Sequence, residues 1–176
     1  MNNHQPIMKE RAFIILTNGF KDKLFRMAKR LLVSNEEAED ATQEILLRLW
    51  RNKNKMAEYN NIEAFAMTMT KNYCYDKLKA KETKNLKIVH SNYRDERTSL
   101  QKQVEAKDSL DWVGKIMDNL PEQQRMIIQL RDIEQYNNAE VAKVLGINET
   151  AVRVALSRGR KKIREELLKK HNYGVV

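Results

Sequence analysis

The stretch that most constrains the fold is Asn138–Arg164, NAEVAKVLGINETAVRVALSRGRKKIR. Val141, Ala142 and Leu145 recur at helical spacing, so Ala139–Leu145 reads as a short amphipathic helix. Gly146 supplies the positive-φ residue that ends it. Ile147 plugs the turn, and Asn148 caps a second helix that begins at Glu149. Two short helices joined by so brief a glycine-containing turn form a helix-turn-helix. In the second helix Val152, Ala155 and Leu156 face inward. Glu149, Thr150, Arg153, Val154 and Ser157 face outward, followed by Arg158, Arg160, Lys161, Lys162 and Arg164. Between Glu149 and Arg164 there are six basic side chains and one acid. A helix whose first half is small or polar outside and whose second half is basic suits a major groove flanked by phosphates. A solvated amphipathic pair is the plainer reading, but turn chemistry, core pattern and charge agree in favouring DNA.

The remaining chain is just as helical in character. Only 5 glycines and 2 prolines occur in 176 residues, and no run alternates Val, Ile and Thr with polar residues. That argues for an all-α chain of one or two small domains, each able to bury a modest core. The net charge of +9 favours a polyanionic partner, and both halves share the excess. The single cysteine, Cys74, excludes an internal disulfide framework and a multi-cysteine zinc site. It reads as a buried apolar filler rather than a catalytic thiol. His4, His90 and His171 are scattered without metal-ligand spacing. No apolar run approaches a membrane span and the N-terminus lacks a signal-peptide core, so a cytoplasmic protein without direct membrane insertion is expected.

Ile7–Leu32 carries Phe13, Leu16, Phe20, Leu24, Met27 and Leu31 at steps of three or four, which predicts one long helix bent near Gly19. Ser34 and Glu37 form a capping box for the next helix, which runs to about Arg51 and buries Ala38, Ala41, Ile45 and Leu49. The opposite side carries Asp40, Gln43, Glu44, Leu47, Trp50 and Arg51. Five acids and no base lie between Ser34 and Glu44, inside a basic protein. Helix-dipole preference accounts for Glu36 and Glu37 but not for Glu44 or an exposed Trp50. An acidic stripe ending in Leu and Trp fits a protein-binding face. A metal site of a nuclease on Asp40 and Glu44 is a weaker reading, because no third ligand sits at a matching spacing.

Asn52–Asn61 has no periodicity and reads as an exposed loop. Asn60, with Glu63, is expected to cap a helix running to about Ala80, with Ile62, Phe65, Ala66, Met69 and Tyr73 inward and Met67 an ordinary core filler. On that helix Asn72 and Asp76 lie one turn apart, and Lys71, Lys77, Lys79 and Lys81 make its second half basic. Such a surface either holds an unstacked base and its phosphates or is simply a solvated helix end. Residues 82–108 have mixed charge and no sustained apolar face, which predicts a flexible linker. It divides a domain at 7–81 from one at 109–172. Order returns near Ser109, with Leu110, Val113, Ile116 and Met117 on one helix. Pro121 is placed to begin another, which buries Met126, Ile127 and Leu130 and ends near Ile133.

Together these segments resemble the extracytoplasmic-function class of bacterial RNA polymerase sigma factors over nearly the whole chain. AEDATQEILLRLWR (residues 38–51) is similar to the family's polymerase-binding helix, with Asp40, Gln43, Glu44 and Trp50 at its usual Asp, Gln, Glu and Trp. FAMTMTKNYCYDKLK (residues 65–79) resembles its promoter-melting helix, Asn72 and Asp76 matching the hallmark Asn and Asp. LPEQQRMIIQLR and the helix-turn-helix resemble its second domain. The resemblance implies two small helical domains joined by a flexible linker, the second containing the helix-turn-helix. It implies that Asp40, Gln43, Glu44, Leu47 and Trp50 dock on core RNA polymerase. Asn72, Asp76, Lys77 and Lys79, with the 52–61 segment, would engage the minus-ten element of promoter DNA. Thr150, Arg153, Val154, Ser157, Arg158 and Lys161 would engage the minus-thirty-five element. It implies no enzyme chemistry, cofactor or metal, and makes an anti-sigma factor a further expected partner. A conventional regulator using only the second domain, and a nuclease built on Asp40 and Glu44, are the alternatives.

The chain departs from the family pattern in several places. Phe65 stands where Trp is common, lysines end the melting helix where arginines are frequent, and Ala151 replaces a usual Thr. Gly159 replaces a usual Ala, which on propensity costs about 1 kcal/mol of helix stability. Val154 is apolar at a base-facing position and suits a thymine methyl.

Overall fold

The computed structural model describes residues 9–88 and 105–173, and every regular element among them is a helix. The chain divides into two compact units, Met1–Tyr93 and Arg94–Val176.

The first unit contains α1 (Glu10–Asn18), α2 (Lys21–Leu32), α3 (Asn35–Arg51), a 3-10 turn (Lys53–Glu58) and α4 (Ile62–Ile88). Helix α2 packs against both α3 and α4, and α3 packs against α4. Leu24, Met27, Ile45, Leu49, Met56 and Met67 are fully buried between them. Burial of each such side chain stabilises the unit by roughly 1.5–3 kcal/mol.

The single helix expected over 7–32 is instead two, and Ile7 lies outside the described residues. The Thr17 hydroxyl donates to the carbonyls of Phe13 (2.9 Å) and Ile14 (3.3 Å), a back-bond that competes with the helix ladder. Phe20 leaves the helical region (φ −137°, ψ −4°) and its side chain is buried in the core. Its carbonyl then accepts from the amides of Lys23 and Leu24 and starts α2. Periodicity missed the break because Phe13, Leu24 and Phe20 are buried on either side of it.

Ser34 caps α3 by accepting from the amide of Glu37 at 3.3 Å, but the box is only half closed. Glu37 does not reach back; its carboxylate pairs with Lys81 of α4 at 2.6 Å. The Ser34 hydroxyl donates to Glu36 and holds that carboxyl below its usual range. The expected inward residues Ala38, Ala41, Ile45 and Leu49 are all buried.

The 52–61 segment is not a plain loop. Its 3-10 turn carries Met56 into the core at 1% exposure, and Tyr59 stacks on Phe65 with centroids 4.1 Å apart. One long apolar side chain among polar neighbours leaves no period to read. The cap of α4 is Asn61 rather than Asn60, accepting from the amide of Ala64 at 2.9 Å, while Glu63 pairs with Lys23 at 2.6 Å. The buried side of α4 is Ala64, Ala66, Met67, Thr70 and Cys74; Ile62, Phe65, Met69 and Tyr73 are half-buried at its margins. Thr70 passes as apolar in that core because its hydroxyl donates to the carbonyl of Ala66.

In the second unit α5 spans Glu105–Asp118, α6 Glu122–Ile128, a π-helical turn Gln129–Ile133, α7 Asn138–Leu145 and α8 Glu149–Tyr173. Helices α4 and α5 therefore extend into both ends of the expected linker, past Ala80 and ahead of Ser109; its middle lies outside the described residues. Charged residues with no apolar face keep helix propensity, which is what carries α4 on to Ile88. Pro121 is the N-cap of α6 with extended backbone (ψ 139°) rather than its expected first helical residue, so the helix starts one position later, at Glu122. Met126, Ile127 and Leu130 are buried as expected. At the exit of the π turn, buried Gln129 donates its side-chain amide to buried Glu134 at 2.9 Å. Gln135 then turns the chain at φ 62°, and Tyr136 is buried ahead of α7.

The helix-turn-helix is α7 and α8. Asn137 and Glu140 close a full capping box at 2.9 Å in both directions. Gly146 adopts φ 70° and ends α7, and Asn148 caps α8 by accepting from the amide of Ala151 at 2.7 Å. Val152, Ala155 and Leu156 are buried against the unit's core. The propensity cost assigned to Gly159 has a packing counterpart. It is buried where α8 crosses α6, and a β-carbon there would lie 2.6 Å from Cδ1 of Ile128.

Candidate protein-docking and nucleic-acid interfaces

Helix α3 is held by its buried Ala38, Ala41, Ile45 and Leu49, which fixes what its other side presents. Asp40 and Gln43 are exposed, and Leu47 is 42% exposed. Glu44 is half-buried and accepts from Nε of Arg48 at 2.7 Å. Trp50 is not the exposed tip that the helical pattern predicted. It is half-buried, edge-on to Phe13 at 5.1 Å, with Nζ of Lys53 lying 3.9 Å from its ring centroid. The partner that covers it comes from α1, far away in sequence and created by the break at Phe20. What remains outward is two polar groups beside an apolar one, a pattern suited to protein contact. Among the described residues no three His, Cys, Asp or Glu side chains gather to hold a metal ion. Asp40 and Glu44 belong to no such group among the described residues.

On α4, Asn72, Asp76 and Lys79 are exposed and Lys77 is half-buried, with its ammonium 5.6 Å from the ring centroid of Tyr73. Lys71 lies nearer the core, where desolvation lowers its pKa from the ordinary lysine value. Burial pushes the Cys74 thiol up to about 12, so it stays neutral, as its reading as a filler requires.

On α8, Thr150, Arg153, Val154, Ser157, Arg158 and Lys161 are all exposed on one side. Val154 is 43% exposed, an apolar group displayed among polar ones. Arg153 is only loosely held, by Glu149 at 3.5 Å and the Thr150 hydroxyl at 3.4 Å. The basic residues that follow are not equivalent. Arg160 turns back to Asp132, whose hydrogen bonds raise its pKa, while Lys162 pairs with Glu166 at 3.4 Å. The sequence reading missed an apolar groove on this unit, where Val113, Met117, Ile133, Leu167 and Leu168 come together. Its members lie on three separated segments, so no local pattern marks it.

A helical unit joined to a second unit built on a helix-turn-helix defines a class: two-unit, all-helical proteins with a DNA-reading fold. The particular family follows from sequence. The description sigma-70 region 2 matches residues 16–83, and sigma-70 region 4 matches residues 110–163. The chain is 26% identical over 88% of its length to the ECF RNA polymerase sigma factor SigE of Mycolicibacterium smegmatis, of which it spans 61%. It is 24% identical to the ECF RNA polymerase sigma factor SigW of Bacillus subtilis, with 89% of each chain covered. The chain belongs to the extracytoplasmic-function sigma factor family. Two solved structures share its fold at 21% identity. They are CnrH in complex with the cytosolic domain of CnrY (TM-score 0.64, covering 90% of this chain and 89% of that one) and the sigma factor RpoE in complex with the anti-sigma factor NepR from Bartonella quintana (TM-score 0.71, covering 89% and 97%). No described helix is long and apolar enough to cross a membrane.

Proposed function

We propose that this chain is a promoter-specificity subunit: it binds core RNA polymerase and directs it to a subset of promoters. The observation that carries the reading is the division of labour between the units. One presents Asp40, Gln43 and Leu47 outward from α3 and Asn72, Asp76 and Lys79 outward from α4, and the other presents Arg153, Val154 and Ser157 outward from α8.

In this reading Asp40, Gln43, Glu44 and Leu47 meet a basic surface of the polymerase. Trp50 acts from behind by fixing α1 against α3. Asn72 hydrogen-bonds an unstacked base of the minus-ten element, Asp76 orders that surface, and Lys77 and Lys79 hold its phosphates. The second unit lays α8 in the major groove of the minus-thirty-five element, Arg153 and Val154 reading base edges and Thr150, Arg158 and Lys161 nearer the backbone. The chain itself carries no catalysis; the polymerase forms the RNA. A cytoplasmic location and restraint by an anti-sigma factor belong to the same reading. RpoE bound to NepR is a relative of similar fold bound to such a protein.

The test is transcription in vitro from fragmented genomic DNA with core polymerase, with and without the chain. New, discrete start sites that require the chain are expected. Identical transcripts in both arms, together with tight promoter binding by the chain alone, would instead make it a conventional regulator.

A further inference from the structure

A cleft of about 610 Å³ opens on the second unit where α5 packs against α8, a size suited to a small molecule. Trp112, Lys115 and Ile116 line it from α5, Asn119 from the turn that follows, and Lys162 and Glu166 from α8. None of these residues is among those assigned above to promoter DNA or to polymerase. Trp112 and Ile116 stand one turn apart on α5; Ile116 is buried and the half-buried indole gives the cleft a flat apolar wall. The charges around it do not balance. Glu166 already takes two lysines, Lys169 at 3.0 Å and Lys162 at 3.4 Å, which hold its carboxyl below the usual range. Lys115 has no carboxylate partner among the described residues, and the side-chain amide of Asn119 has no hydrogen-bond partner among them. With Asp118 counted, the lysines 115, 162 and 169 face only two carboxylates. An ammonium and an amide four residues apart are thus left over beside an aromatic wall.

We propose that the cleft between α5 and α8 is a binding site for a small planar organic anion, an aromatic ring carrying a carboxylate. The ring lies against the Trp112 indole and Ile116, where its apolar area leaves water. The carboxylate meets the Lys115 ammonium and accepts from the Asn119 amide, supplying the partners those two groups lack. Lys115 acts as a point charge and Asn119 sets direction, so a neutral ring of the same size is held less well. The site goes beyond the function proposed above and needs neither DNA nor polymerase to be filled.

The test is an NMR titration of the full chain, labelled with nitrogen-15, using 2-naphthoate as the probe. The sequence holds 2 tryptophans, Trp50 and Trp112, so their indole N–H signals report the cleft and a distant control; Trp112→Phe assigns them. A saturable shift of the Trp112 signal is expected, with Trp50 unmoved. Naphthalene-2-methanol, the neutral analogue, is expected to bind at least about tenfold more weakly. Lys115→Met keeps the stem without the charge and is expected to erase that preference. Leu168→Asp alters the apolar groove of this unit and not the cleft, and is expected to bind as the parent does. The backbone amide signals report that each variant is folded. A Trp112 signal unmoved at millimolar probe overturns the site. Equal binding of the neutral analogue, or an undiminished preference in Lys115→Met, overturns its assignment to anions. Loss of binding in Leu168→Asp would put the probe in the groove and overturn the cleft.

Discussion

Arg160 grips Asp132 with two parallel hydrogen bonds, Nε to Oδ2 at 3.0 Å and Nη2 to Oδ1 at 2.5 Å, tying α8 to the π turn that follows α6. In the sequence Arg160 is one of six interchangeable bases on a helix. In the structure it is a tertiary strut. Fork-to-fork geometry gives such a pair its specificity, although half-exposed ion pairs contribute only about 0.2–1 kcal/mol. Replacing Arg160 by Ala is therefore expected to lower the unfolding free energy by up to about 1 kcal/mol. Arg153→Ala should leave stability unchanged and weaken the upstream promoter element by about 1–3 kcal/mol, with relaxed base preference at one position. Denaturant melts and binding to intact and mutated elements, measured side by side, check the contrast.

Gly159 faces Ile128 across the α6–α8 crossing, where a β-carbon would come within 2.6 Å of Cδ1. Gly159→Ala gains about 1 kcal/mol of helix propensity but meets an overpacking cost of about 1–3 kcal/mol. The single variant is expected to be neutral or destabilised. Ile128→Val removes the offending methyl, so Gly159→Ala should become stabilising in that background. A double-mutant cycle on thermal unfolding reads the coupling directly; additive effects would remove the steric explanation.

Cys74 is buried, and its thiol is pushed up to about 12. The unfolded thiol ionises near about 8.5, so the folded state holds the proton more tightly. Its contribution to stability is complete below about pH 8.5 and is lost as pH rises toward about 12. The stability difference between the parent and Cys74→Ala should accordingly narrow over that range. Iodoacetamide at pH 8 should label the unfolded chain and leave the folded one unmodified, as mass spectrometry would show.

Residues acting within one helix were legible in the sequence, and those whose partner comes from elsewhere were not. Gly146, Asn148, Val152, Ala155 and Leu156 announced the helix-turn-helix because cap, turn and buried stripe are all local. Trp50 was read as exposed because its cover, Phe13, belongs to α1. The turn that places Phe13 there depends on Thr17 and Phe20, which sit in an unbroken helical period. Met56 was invisible as a lone apolar residue between polar ones, yet it closes the core of the first unit. Arg48 and Tyr73 come from different helices, so their contact could not be read from spacing, whereas the Glu44–Arg48 ion pair is an i,i+4 pair on one helix. The resemblance to sigma factors named the candidate surfaces, and the packing determines which of their side chains remain exposed.

The most direct measurement is a titration of fluorescently labelled chain with purified core RNA polymerase, run beside Asp40→Lys and Leu47→Asp variants whose melting temperatures match the parent. Saturable binding by the parent is predicted, with both variants losing at least about tenfold in affinity, or about 1.4 kcal/mol. Failure of the folded parent to bind core enzyme, or equal binding by all three proteins, would contradict the central claim that α3 carries this chain onto the transcribing enzyme.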